Sequence, residues 1–297
     1  MHRKKEQKKM NPIIETKNLT YSYGVGTPFE HKALDSVNFS ASKGEYVAVI
    51  GRTGSGKSTL IQHLNGLKEP TSGSVLLDGQ DIFASKESLR GVRFKVGLVF
   101  QYPEYQLFEE TVYKDVAFGP KNMGLDEKET ERRVRESLEL VGMGSEYLEE
   151  SPFDLSGGQK RRVAIAGVMA MQPRVLILDE PAAGLDPAGS EEISRNIRDY
   201  RERTGATIIA VTHDMTFAAS QADRVFVLCD GREAMSGTPE SVFARSGELE
   251  RLGLAIPEIT RITDLLREKG LDLPRGIYTL TQAKEAILAL RGGAENA

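Results

Sequence analysis

The chain has 297 residues, enough for one large domain with an appendage or for two domains. Its 39% hydrophobic and 28% charged residues describe a folded globular chain, and 39 basic against 43 acidic side chains (net −4) leave no global positive field for nucleic acid. No apolar stretch approaches the ~18 residues needed to span a bilayer, and the single Cys229 excludes an intrachain disulfide and fits a reducing cytoplasm.

Residues 1–12 read as a basic N-terminal tail, because Met1 to Met10 is charged and no apolar signal core follows it. Ile14, Leu19 and Tyr21, then Val37, Phe39 and Ala41, alternate with polar neighbours and predict antiparallel strands about the Gly24 to Gly26 turn. Tyr46 to Ile50 is a nearly continuous apolar run, as in a strand buried on both faces. A glycine-rich loop follows, then a helix expected to carry Leu60, Ile61, Leu64 and Leu67 on one side. The middle, about 103–172, reads as helical, with Val134, Leu138 and Val141 on one face and the charges of Asp126 to Arg135 on a solvated one.

Strands then return at Val175 to Leu178 and Thr207 to Val211, joined by a helix bearing Ile193, Ile197 and Tyr200. Strand, crossover helix, strand marks a parallel sheet and an α/β fold. Val225 to Leu228 and Asp230-Gly231 predict a closing hairpin, with Cys229 an inert strand thiol. From about Ser246 the character changes to two amphipathic stretches, Ile259/Ile262/Leu266 and Ala283/Ala286/Ile287/Leu290, which read as a small C-terminal extension over 246–297.

Three segments carry chemistry. Gly51-Arg52-Thr53-Gly54-Ser55-Gly56-Lys57-Ser58-Thr59 satisfies the phosphate-loop pattern between a buried strand and a helix. Glycines let the backbone wrap phosphates at a helix N-terminus whose dipole favours anions. Lys57 would reach the β- and γ-phosphates of ATP, and the Ser58 hydroxyl would ligate Mg²⁺. Asp179-Glu180 leaves the next buried strand. Asp179 suits a place behind the Mg²⁺, while Glu180 can orient or deprotonate an attacking water. His213 ends the strand Thr207 to Val211, where parallel sheets bind ligands, and is expected to face the γ-phosphate. His2, His31 and His63 need only surface or packing roles.

Leu155-Ser156-Gly157-Gly158-Gln159 opens another helix and looks like a second phosphate cradle. Alone it would read as an ordinary capped helix. Beside Gly51 to Ser58 it is more economically a cradle for ATP held by another protomer.

These residues resemble an ABC-transporter ATPase over approximately 13–245. The resemblance implies a P-loop NTPase fold with a RecA-like core, an N-terminal antiparallel β-subdomain, a helical signature subdomain at about 103–172 and a C-terminal helical dimerisation extension. It makes Gly51 to Thr59 the Walker A loop, Gln101 a catalytic Q-loop residue near Mg²⁺, and Ala183-Gly184-Leu185-Asp186 the D-loop. Glu180 and His213 become the catalytic base and switch. Ser156, Gly157, Gly158 and Gln159 bind nucleotide in trans, and Tyr23, ahead of Tyr21, is placed to stack on adenine. The run Tyr102-Pro103-Glu104-Tyr105-Gln106-Leu107-Phe108 resembles the ATPases of energy-coupling factor (ECF) importers, more the second than the first of the paired subunits. That implies a related partner ATPase (a heterodimer, with a homodimer possible), a transmembrane coupling subunit contacted by Tyr102 to Gln106, separate membrane subunits that capture vitamins or similar micronutrients, and a place on the cytoplasmic face of the membrane. Cobalt or nickel importer ATPases share much of this segment. A soluble cassette acting on nucleic acid or ribosomes is disfavoured by the acidic balance, and a small-molecule kinase leaves Leu155 to Gln159 and His213 unexplained.

Overall fold

Alternation in the first forty residues builds a sheet with one dry face. In the computed structural model, which describes residues 12–294, β1 (Pro12–Tyr23) turns back as β2 (His31–Val37) and is followed by β3 (Ser40–Ser42). The basic Met1 to Met10 segment lies outside the described residues. β4 (Tyr46–Ile50), every residue buried, then leaves for a second sheet and runs into α1 (Lys57–Leu64). β5 (Ser72–Leu77) and β6 (Gln80–Asp81) return to the first sheet, whose order is β2-β1-β5-β6 with β3 also on β1, all antiparallel. Helix α1 ends at Leu64, one turn sooner than its apolar spacing suggests. Gly66 has left-handed backbone (φ 70°), and Leu67 is exposed beyond it.

After α2 (Lys86–Lys95) and β7 (Val96–Val99) comes the helical middle: α3 (Val112–Asn122), α4 (Glu127–Leu140) and α5 (Gly157–Met169). The charged face of α4 is laced by Glu129–Arg132, Glu129–Arg133 and Glu131–Arg135 pairs, while Val134 and Leu138 are buried. The parallel strands β8 (Val175–Asp179) and β9 (Thr207–Val211) follow, joined by helix α6 (Pro187–Thr204), in the predicted strand–helix–strand order. Asp186 caps α6, its carboxylate accepting the Gly189 N–H at 2.7 Å. Helix α7 (Met215–Gln221) leads to β10 (Arg224–Cys229) and β11 (Arg232–Gly237), joined by Asp230 and Gly231 with positive φ, as a type I′ hairpin turn requires.

The second sheet runs β11-β10-β4-β9-β8-β7, parallel except for β11. Apolar side chains fill both faces of it. Val47, Val49, Ile61 and Phe226 meet Leu19, Val37 and Phe39 of the first sheet, while Leu176, Leu178 and Ile208 pack under Val134, Val163, Ile193 and Tyr200. Each such side chain contributes roughly 1.5–3 kcal/mol. The strand ends are thereby level: Asp179 pairs with Val211, and Val211 with Val49.

Past the hairpin lie α8 (Pro239–Phe243), α9 (Ser246–Arg251), α10 (Glu258–Glu268) and α11 (Leu280–Ala294). Phe243, Leu249 and Leu254 anchor the extension on Ile50, Met215 and Val225. Helix α10 turns Thr260 and Thr263 inward, where their hydroxyls donate to Ile277 O (2.7 Å) and Ile259 O (3.0 Å). Its apolar stripe therefore points away: Ile262 and Leu265 are exposed, with Ile259 and Leu266 half-buried.

Candidate nucleotide site

Four chain segments leave the carboxyl ends of adjacent strands. The glycine loop follows β4, Gln101 follows β7, Asp179-Glu180 ends β8 and His213 follows β9. Because these strands are neighbours with level ends, residues up to 160 positions apart converge on one cleft. The cleft is about 650 Å³ and is lined by Tyr23, Thr53, Gly54, Gly56, Lys57, Ser58, Thr59, Gln101, Asp179, Glu180 and His213, joined by His31 and Ala33.

The loop is shaped by contacts that exclude side chains. A Cβ on Gly51 would fall 2.3 Å from Leu228 O and 2.5 Å from Ser55 Oγ; one on Gly56, whose φ is +102°, would fall 2.5 Å from Ala33 O. Ser55 N–H donates to Arg52 O, and Ser55 O accepts from Gly231 N–H, which ties the loop to the β10–β11 turn. Ser55 Oγ is buried without a hydrogen-bond partner among the described residues, a donor set inside the loop. Lys57 Nζ donates to Gly51 O (2.7 Å) and Arg52 O (2.9 Å), so its ammonium lies along the loop. Burial pulls its pKa below the usual lysine value, against the opposing charges of Glu180 and Asp179. Of the loop, Gly51, Arg52 and Ser55 do not line the cleft, and the Arg52 side chain packs over Gly253 of the extension.

Asp179 is buried, and desolvation raises its pKa; a hydrogen bond from Ser58 lowers it in part. Glu180 sits in the left-handed region (φ 52°), a conformation costing roughly 1–2 kcal/mol for a side chain with a Cβ. Its N–H is held by Val211 O at 2.9 Å, and Oε2 meets His213 Nδ1 at 2.9 Å. Strain spent at this position aims the carboxylate into the cleft.

Away from Asp179 and Glu180, Tyr23 OH and Thr59 Oγ1 are 3.1 Å apart, and the ring is stacked edge-on by Tyr21. Tyr21 is half-buried against Tyr23 and His63, so Tyr23 presents the open ring. His63 is a packing residue, fully buried with Nδ1 2.7 Å from Thr59 O. His31 is exposed, in keeping with the surface role that its sequence context suggested. It pairs directly across the β1–β2 hairpin with Tyr23 and lines the cleft, a juxtaposition visible only once the register is known.

Ser156 caps α5 in a reciprocal box with Gln159: Ser156 N–H donates to Gln159 Oε1 at 2.9 Å, and Gln159 N–H to Ser156 Oγ at 3.4 Å. Neither these residues nor Gly157 and Gly158 line the cleft. A Cβ on Gly157 or Gly158 would meet nothing within 4 Å, so the chain's own packing gives no reason for two glycines there. Glycine in a helix costs about 1 kcal/mol relative to alanine.

The segment after Gln101 divides. Tyr102, Tyr105 and Phe108 are exposed, while Pro103 and Leu107 are buried as packing residues. Glu104 is mostly buried. Its Oε2 lies 3.3 Å from Nε of the buried Arg161, so it is paired within the chain. Beside these residues runs an apolar groove of about 420 Å³ containing Leu67, Phe94, Phe100, Phe108 and Phe118.

A phosphate loop, a strained carboxylate and an imidazole at neighbouring strand ends define an NTPase cleft. Residues 34–183 match the family model described as ABC transporter. The chain is 54% identical to the energy-coupling factor transporter ATP-binding protein EcfA2 of Clostridium acetobutylicum, over 93% of this chain and 96% of that one. It is 53% identical to the protein of the same name from Clostridium perfringens, over 93% and 98%. Among solved structures it resembles cbiO1 from Clostridium perfringens, part of the ABC transporter complex cbiONQ (41% identity, TM-score 0.73, 85% and 99% coverage). It also resembles the dimeric ATP-binding cassette MJ0796 bound to ADP and Pi (30% identity, TM-score 0.67, 76% and 98% coverage). The chain belongs to the ABC transporter ATPases, among the energy-coupling factor transporter ATP-binding proteins. Its activity is ATP hydrolysis coupled to transport.

Proposed function

We propose that this chain powers an ECF importer of vitamins or similar micronutrients, as the second of two paired, non-identical ATPases docked on the cytoplasmic side of a transmembrane coupling subunit. Separate membrane subunits capture the substrate, which the ATPase does not touch. The observation that carries this reading is the run Tyr102 to Phe108 immediately behind Gln101, which exposes Tyr102, Tyr105 and Phe108 and whose Gln106, Leu107 and Phe108 line an apolar groove. Aromatic anchors around an apolar cleft suit a short helix of a partner. No helix among the described residues is long and apolar enough to cross a membrane, which accords with a separate membrane subunit.

In this reading ATP lies with its base on Tyr23 and its phosphates in the loop, where Lys57 and the amides from Gly54 to Thr59 bind them. The donor set also fits Mg²⁺. Ser58, Gln101 and Asp179 share the phosphate end, and no cluster of three or more His, Cys, Asp or Glu among the described residues forms a cage of its own. A nucleotide-borne Mg²⁺ of this kind neutralises phosphate charge. Glu180 accepts a proton from the attacking water, His213 holds its carboxylate in line, and Ser156 to Gln159 close on the ATP of the partner cassette. The outward apolar stripe of α10, with Leu280 and Leu288 of α11, supports a dimerising role for the extension.

A dedicated cobalt or nickel importer is the second reading, because the ATPases of such importers share much of the segment from Tyr102 to Phe108. Purification of the tagged chain from detergent-solubilised membranes tests both. Copurifying membrane subunits that take up a vitamin when reconstituted bear out the proposal, uptake of cobalt or nickel instead favours the second reading, and recovery of the chain without any membrane subunit overturns both.

A further inference from the structure

Arg161, two residues beyond Gln159 in α5, is only 3% exposed. A cationic side chain is seldom so buried unless its charge and donors are used. The guanidinium touches three residues from two segments that are far apart in sequence. Nε donates to Glu104 Oε2 at 3.3 Å, Nη1 donates to Ala183 O in the D-loop, and the group lies 5.7 Å from the centre of the Tyr102 ring. Nη2 is buried with no partner among the described residues.

Each contact is one short turn from a residue lining the nucleotide cleft. Glu104 and Tyr102 follow Gln101 directly, and Tyr102 is held with a positive φ of 54°. Ala183 N–H donates to Glu180 O at 3.1 Å, so the Ala183 carbonyl belongs to the turn that carries Glu180. The Tyr102 ring also approaches Gly184, whose Cβ position would lie 3.9 Å from Cε1. A planar fork can grip a carboxylate and a carbonyl at once while stacking on a ring; a lysine ammonium cannot keep that geometry.

We propose that Arg161 is a positioning residue that makes the segment behind Gln101, the start of the signature helix and the D-loop move as one body. Load applied at Tyr102 to Phe108 then reaches the turn of Glu180 in the same chain and Ser156 to Gly158, which face the partner's ATP. This rests on the docking reading above and adds the residue that carries it.

The test uses the assembled membrane complex with Arg161→Lys, Glu104→Gln and the double variant, measuring ATP hydrolysis and the melting of each purified chain. Arg161→Lys is expected to leave the KM for ATP within about twofold but to lower kcat by about tenfold, the split of a residue that acts on the assembled transition state rather than on nucleotide binding. The double variant should lose no more than the worse single one, because both break the same link. An unchanged kcat in a folded Arg161→Lys complex overturns the proposal, as do losses that simply multiply in the double variant. Should Arg161→Lys fail to fold, Glu104→Gln, which leaves the bond to Ala183 intact, is expected to lower kcat by itself, and an unchanged kcat there overturns the proposal equally. An unmodified complex that hydrolyses ATP but moves no micronutrient overturns the importer reading and leaves these kcat comparisons standing.

Discussion

His213 Nδ1 stands 2.9 Å from Glu180 Oε2, and the same carboxylate oxygen accepts the His213 backbone N–H at 3.3 Å. The two residues leave adjacent parallel strands, so the sheet itself sets their separation. The carboxylate is mostly buried (12% exposed) while the imidazole is open (72%), which suits a base held from behind by a side chain that can also reach a ligand.

From this pairing, Glu180→Gln should retain ATP binding and lower hydrolysis by about 10²–10⁴-fold, the range for loss of a general base. The substituted amide keeps the volume and the left-handed backbone, so stability should hardly change. His213→Ala should cost less, since Glu180 remains held by its N–H bond to Val211 O. Nucleotide affinity and phosphate release, measured for both variants in the assembled complex, decide this; normal turnover in Glu180→Gln would remove Glu180 from the role of base.

Asp179 carries a pH signature. Burial raises its pKa above the usual 3.8, so the folded chain binds more protons than the unfolded chain between that value and the raised one. Stability contributed by this site is therefore present at low pH and is lost as pH rises through the window. Asp179→Asn, whose amide oxygen can still accept from Ser58, should raise the melting temperature of the nucleotide-free chain at neutral pH. The gain should shrink as pH falls towards 4. A gain that grows on acidification would contradict burial as the dominant cause.

Much of this site is legible in the sequence because it is local. Gly51 to Thr59 directly follows one buried strand and Asp179-Glu180 ends another, and short-range sterics decide what they become. His31 and Arg161 are different. His31 reaches the cleft only through its cross-strand pairing with Tyr23, and Arg161 gains meaning only where residues 57 and 22 positions away converge on it. The orientation of α10 also escapes pattern reading. Its threonines satisfy their hydroxyls internally, so the helix can bury them and leave its isoleucine and leucine stripe facing out.

That stripe yields a third expectation. Leu265→Glu places a charge on a half-exposed position, so the isolated chain should melt within roughly ±0.5 kcal/mol of the parent. Association with a second cassette should fall at least about tenfold, since a charge at the core of an apolar interface is left unpaired. Analytical ultracentrifugation of the paired cassettes, with nucleotide present, measures it. Unaltered association would take the extension out of the interface.

Tyr23 and Tyr21 are separable by a similar contrast. Tyr23→Phe keeps the ring and loses only the contact to Thr59 Oγ1, so ATP affinity should stay within about threefold, less than 1 kcal/mol. Tyr23→Ala should lose the roughly 1–3 kcal/mol typical of one stacked base. Stacking tolerates any base, so GTP should bind within about tenfold of ATP. Should Tyr21→Ala weaken ATP while Tyr23→Ala does not, the assignment of the two rings must be exchanged.

The glycines of α5 permit a test in which stability and activity move in opposite directions. A Cβ at Gly158 meets nothing within 4 Å and the residue has ordinary helical backbone, so Gly158→Ala should leave the isolated chain unchanged or stabilise it by up to about 1 kcal/mol. If the amides at this helix start bind the partner's ATP, the added methyl obstructs a phosphate, and hydrolysis by the cassette pair should fall by about tenfold or more. Crosslinking checks the same contact without relying on turnover. With Cys229→Ser removing the native thiol, Ser156→Cys should crosslink to a cysteine at the position of Thr53 in the partner cassette's loop, and only when ATP is present. Two results would count against action in trans. One is a Gly158→Ala pair that hydrolyses ATP at the parent rate; the other is a crosslink that forms equally well without nucleotide, since a contact closed by phosphate has no reason to persist once the phosphate is gone.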